Sequence, residues 1–112
     1  MKDDTLPSVV DEFASKQPAV WEAYNRLNEA TSEAGPLESK TQRLVKLAIA
    51  IGAGHQGAVR SHARRGLKAG LTPEELSQAA MLGITTVGWP QAFAAHCWIQ
   101  DIIDQGTARA KK

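Results

Sequence analysis

At 112 residues, 43% hydrophobic and 22% charged, the chain can bury one globular core and leaves little room for a second. Its 13 basic and 12 acidic side chains nearly cancel, which excludes a chain-wide electrostatic footprint for nucleic acid or an anionic membrane. The opening residues MKDDTLPSVVDEF carry acids where a secretory leader needs a basic start, and no run is long enough to span a bilayer, so a cytoplasmic protein is expected. Cys97 is the single cysteine, which rules out an internal disulfide and fits a reducing compartment.

Proline falls at apparent boundaries (Pro7, Pro18, Pro36, Pro73, Pro90), and between them apolar residues recur at helical spacing, so an all-α protein of about six helices is expected. A short first helix spans about Pro7 to Ser15. A second runs from Pro18 to Thr31 with Val20, Trp21, Tyr24 and Leu27 as its apolar members, and Ala34-Gly35-Pro36 breaks the chain. Ser39 followed by Gln42 has the pattern of a capping box and opens a third helix. Its run from Leu44 to Ile51 is apolar on nearly every side, the pattern of a helix surrounded by others.

After Gly52-Ala53-Gly54, a fourth helix starts near His55 and ends before Gly70, the residue suited to a left-handed cap. Thr72-Pro73-Glu74-Glu75 opens a fifth, with a threonine cap, proline at the first helical position and glutamate at the third, running to about Val87. Gly88-Trp89-Pro90 reads as a turn. A sixth helix from Gln91 to about Asp104 is expected to bury Phe93, Cys97, Trp98 and Ile102, and the tail TARAKK to be disordered.

On the fourth helix, Val59, His62, Ala63, Gly66 and Leu67 share one stripe, which turns His62 inward, whereas Arg60, Arg64 and Lys68 lie on another face. Those three cations read as facing solvent or a neighbouring subunit. His55 and His62 stand about 10 Å apart along the axis, too far for joint ligation of one metal ion from an unbroken helix. On spacing alone His62 is a buried histidine bonded to a carbonyl, His55 a polar residue at a helix end, and Cys97 an inert buried thiol. Neither a cofactor nor a metal ion is expected.

The stretch ESKTQRLVKLAIAIGAGHQGAVRSHARRGLKAGLTPEELSQA, from Glu38 to Ala79, resembles the central motif of the carboxymuconolactone decarboxylase family, with its AhpD-like helical fold. The likeness lies in a lysine-initiated apolar helix, a glycine break, a helix with histidine in its second turn, a basic alanine-rich continuation and Gly-x-Thr-x-Glu-Glu. It implies one domain over residues 1–112 and a homo-oligomer, a trimer or hexamer, with no nucleic-acid or membrane partner. Members with peroxidase activity carry Cys-x-x-Cys-x-x-x-His after a glutamate. Here His62 matches the histidine, His55 and Ala58 stand at the cysteine positions and Arg43 at the glutamate. Disulfide cycling needs an activated thiolate and a second thiol, so the missing pair argues against peroxidase activity.

The resemblance to the decarboxylase branch implies a lyase or isomerase acting on a small anionic metabolite. His62 and His55 are then the candidate catalytic residues, and Arg43, His96 and Trp89 the candidate substrate-binding ones, because such a reaction needs a proton carrier and cations for carboxylates. That reading expects a closed apolar pocket containing His62 with His55 or His96. The alternative is an oligomeric binding module that has no catalytic activity.

Overall fold

The computed structural model describes the backbone of residues 8–110 and the side chains of residues 9–107. These residues form six helices and no strand: α1 (Ser8–Lys16), α2 (Pro18–Glu33), α3 (Ser39–Ala53), α4 (Gln56–Lys68), α5 (Pro73–Val87) and α6 (Trp89–Ala110). They divide into two compact units, Met1–Leu37 and Glu38–Lys112. Pro7, where the first helix was expected to begin, lies outside the described residues.

In the first unit, Gln17 leaves helical geometry for one residue and Pro18 restarts the helix at a position whose N–H has no intrahelical partner. Trp21 stacks on Tyr24 one turn later, with ring centroids 5.8 Å apart. α2 buries none of its residues, and Val20, Tyr24 and Leu27 lie exposed.

The second unit begins with a difference from expectation. Glu38 takes the extended cap geometry and Ser39 is already helical, so the Ser39/Gln42 box does not form. The Gln42 amide donates to the Glu38 carbonyl at 2.9 Å. α3 buries Leu47, Ala50 and Ile51 but exposes Val45 and Ile49, so its apolar circumference is only partly covered. Gly54 closes it at φ 66°, the left-handed region that glycine adopts freely. From α6, the Gln91 Nε2 donates to the carbonyls of Ile51 and Gly52 at 2.9 and 2.8 Å, satisfying acceptors at the end of α3.

α4 ends in a Schellman turn: Leu71 N–H donates to the Gly66 carbonyl at 2.9 Å and Gly70 N–H to that of Leu67 at 3.2 Å. The capping box of α5 forms as its sequence requires, with Thr72 N–H donating to Glu75 Oε1 at 2.8 Å and Glu75 N–H to Thr72 Oγ1 at 3.1 Å. The turn after α5 is shorter than expected. Gly88 alone breaks the helix, and Trp89 opens α6 with Pro90 in its first turn, where a missing N–H costs nothing. α6 continues past Asp104 to Ala110, so residues 107–110 of the expected disordered tail are helical; Lys111 and Lys112 lie outside the described residues. Ile102 is buried in the core, and the Thr107 hydroxyl donates to the Ile103 carbonyl at 3.1 Å.

The core brings Leu47, Val59, Leu76 and Ile99 together, fully buried, with small residues between them. α6 turns Ala92, Ala95, Ile99 and Ile102 inward. Phe93 and Cys97, expected to be buried, are exposed because each lies beside that stripe and not on it. Trp98 packs half-buried against the core. Gly88 has φ 97° and ψ 157°, a conformation essentially restricted to glycine. Gly88→Ala is therefore expected to lower stability by about 1–3 kcal/mol, read as a lower urea midpoint with an unchanged slope.

Candidate functional site

α3 and α4 pack against each other, and the edge of their contact gathers charge. Arg43 and Lys46 lie one turn apart on α3, beside the buried Leu47 and Ala50. His62 and Arg65 lie one turn apart on α4, beside the buried Val59, Ala63 and Gly66. All four side chains are half-buried. Arg43 feels the charge of Arg65, and Lys46 feels both arginines; burial first, and then these like charges, hold both pKa values below their ordinary range.

His62 sits among these cations. Its pKa is lowered to about 4, first by burial and then by Arg65, Arg43 and Lys46, so the ring is neutral near pH 7. Its Nδ1 is buried with no hydrogen-bond partner among the described residues, which leaves Nε2 as the nitrogen on the accessible edge of this half-buried ring. A carboxylate beside a histidine would raise its pKa, but the charges acting on His62 are all positive. Among the described residues Arg43 and Arg65 have no ion-pair partner.

The other candidate residues lie elsewhere. His55 is the exposed N-cap of α4, in extended conformation and without a side-chain cap bond. Trp89, Phe93 and His96 stack along α6, with centroids 5.0 Å apart in the first pair and 5.9 Å in the second. With Ala80, Met81, Ile84 and Ala92 they line an apolar groove of about 240 Å³ between α5 and α6. The groove contains His96 but neither His62 nor His55, unlike the single pocket expected from the sequence. Arg60 is tied down by Asp101 of α6 at 3.3 Å, a partly exposed pair worth at most about 1 kcal/mol. Sequence reasoning missed Lys46. The three-residue spacings of Arg43 to Lys46 and of His62 to Arg65 were the available signal, and the packing of α3 on α4 gives them meaning.

Fold and site together define an all-helical domain whose half-buried histidine lies under cations from two packed helices. Residues 18–101 match the sequence model of the carboxymuconolactone decarboxylase family, and the chain belongs to that family. The match spans α2 to α5 and most of α6. With a single cysteine, the chain is a member without the Cys-x-x-Cys pair. No curated protein and no solved structure matches the chain. No described helix is long and apolar enough to cross a membrane.

The lowered pKa of His62 gives a pH dependence of stability. Between the ordinary value of 6.5 and about 4 the unfolded chain binds the proton more readily than the folded one, so stability falls as pH drops through that window. Urea midpoints measured from pH 7 down to pH 4.5 are expected to decline, and His62→Gln to flatten the decline.

Proposed function

We propose that this protein is a decarboxylase or isomerase of a small anionic metabolite, in which His62 moves the proton and Arg43 holds a carboxylate of the substrate. The observation that carries this reading is the half-buried His62, neutral near pH 7, with Nδ1 buried and unpartnered and cations on either side. In a decarboxylation, the bond to the departing carboxylate breaks, its electron pair enters the adjoining unsaturated system, and the carbon that receives it takes a proton that His62 Nε2 relays from solvent. In an isomerisation the same nitrogen removes and returns a proton. Cations fixed near the reacting group stabilise the charge that develops there. His55, Trp89 and His96 are not placed with His62 by any contact, so the proton-transfer role is proposed for His62 alone.

His62→Ala is expected to abolish turnover of unsaturated di- and tricarboxylic lactones and acids, while the helical circular-dichroism signal is retained. A general acid–base residue contributes about 10²–10⁴-fold to rate; a loss under threefold would remove His62 from the mechanism. Disulfide cycling has no second thiol in this chain, so Cys97→Ser is expected to leave any hydroperoxide consumption unchanged.

We further propose that the protein works as a homo-oligomer, a trimer or hexamer with one such domain per chain. Support comes from the large apolar side chains left outside: Ile49 is 66% exposed, Leu82 64%, Trp89 57% and Met81 53%. Sedimentation velocity at micromolar concentration is expected to show a species larger than one chain. Ile49→Glu or Leu82→Glu should reduce it to the monomer.

A further inference from the structure

We infer that the groove between α5 and α6 is a second ligand site, for a neutral two-ring aromatic compound with one hydrogen-bond donor that His96 accepts. Its lining includes neither His62 nor any lysine, arginine, aspartate or glutamate, so it stands apart from the proton chemistry proposed above. The buried Ala80 and Ala92 line it together with larger side chains, Met81 from α5 and Trp89, Phe93 and His96 from α6. The two helices come close at Ala92, where a Cβ added to Gly83 would stand 3.5 Å from the alanine Cβ. Alanines at this approach leave the space that the larger side chains enclose, about 240 Å³.

Size, walls and charge select the occupant. A closed apolar cavity of about 150 Å³ takes up benzene, so the groove's 240 Å³ gives room for a second fused ring. Trp89, Phe93 and His96 follow at four- and three-residue spacing on one stripe of α6. Their stacking, with centroids 5.0 and 5.9 Å apart and interplanar angles of 15° and 24°, holds the rings in place before a ligand arrives, which lowers the cost of ordering them. Opposite them Met81 supplies a flexible thioether that adapts to an aromatic surface. Trp89, Met81 and Phe93 are all exposed, so a ring seated among them takes apolar area of both partners out of water. A carboxylate would be dehydrated there with no lysine or arginine to meet it, and an ammonium with no acid. The His96 imidazole has no hydrogen-bond partner among the described residues, and accepting an N–H or O–H fixes which way round the ligand lies. Ile49 and Leu82, the positions chosen above to break the oligomer, do not line the groove, so subunit contact and ligand site are separable by mutation.

The test is an NMR titration of the full chain with isotope-labelled methionine methyl groups, which places one reporter in the groove, Met81, and one at Met1. At pH 8, indole is expected to shift the Met81 methyl through its ring current and to leave that of Met1 unmoved, with a Kd below about 1 mM. Benzofuran, of the same shape without the N–H, should bind about fivefold more weakly, the worth of one neutral hydrogen bond. His96→Leu should remove that difference and still bind benzofuran. Indole-2-carboxylate should bind at least about tenfold more weakly than indole. Phe93→Ala should weaken indole and benzofuran alike, and Leu82→Ala should change neither. No Met81 shift with indole at its solubility limit would overturn the inference, as would benzofuran or the carboxylate binding the parent as tightly as indole. A shift seen only in the Ile49→Glu monomer would overturn it too, because a second copy then fills the groove in the parent. His62→Ala should leave the Met81 titration unchanged, which keeps this site and the reaction at His62 separately testable.

Discussion

The second unit depends on the close approach of its helices through small side chains. Five of the twelve buried apolar residues described are alanine, one from each of α3, α4 and α5 and two from α6. Gly66 is the tightest point: a Cβ there would stand 2.9 Å from Leu71 Cδ1 and 3.4 Å from Leu76 Cδ2, so a methyl group would force the buried Leu71 side chain to shift. Helices that pack this tightly need few large residues inside. Leu47, Val59, Leu76 and Ile99 suffice as full anchors, each worth roughly 1.5–3 kcal/mol on burial. The remaining large apolar side chains, Ile49, Met81, Leu82, Trp89 and Phe93 among them, are left on the outside. A core built from alanine and an apolar exterior are therefore two aspects of one packing solution.

Much of this was legible where local chemistry decides structure. The box at Thr72 and Glu75, the left-handed Gly70 and the start at Pro18 each follow from a few adjacent residues, and the inward turn of His62 follows from the spacing of Val59, Ala63 and Gly66. The sequence was less informative where two local patterns compete. Ser39 and Gln42 satisfy a capping pattern, but Glu38, one residue earlier, adopts the extended cap geometry and draws Ser39 into the helix. Gly88-Trp89-Pro90 has the composition of a turn, yet a single glycine at φ 97° turns the chain and lets proline serve as a helix starter. Phe93 and Cys97 look like core residues by hydrophobicity, but the helical register of α6 turns Ala92, Ala95, Ile99 and Ile102 inward and leaves both beside that stripe. The cationic surround of His62 is a tertiary property, since Arg43 and Lys46 precede it by 19 and 16 residues and meet it only through the α3–α4 packing.

A ligand covering His62 would act on its pKa in two opposing ways. Burial is the larger cause of its lowered pKa, and a ligand that covers the ring excludes more water and lowers it further. An apolar ligand would therefore hold the ring neutral. A negative charge about 4 Å from the imidazolium stabilises it by about 4 kcal/mol at an effective dielectric constant of 20, equivalent to about three pH units. That exceeds the whole depression from 6.5 to about 4, of which burial is the largest single cause. The sign of the change is thus set by the charge of the ligand more than by its fit. A carboxylate in place of Arg43 would supply that charge permanently and keep His62 charged with the site empty. With arginine there, the charges that act on His62 are positive, and together with burial they disfavour its proton in the free protein.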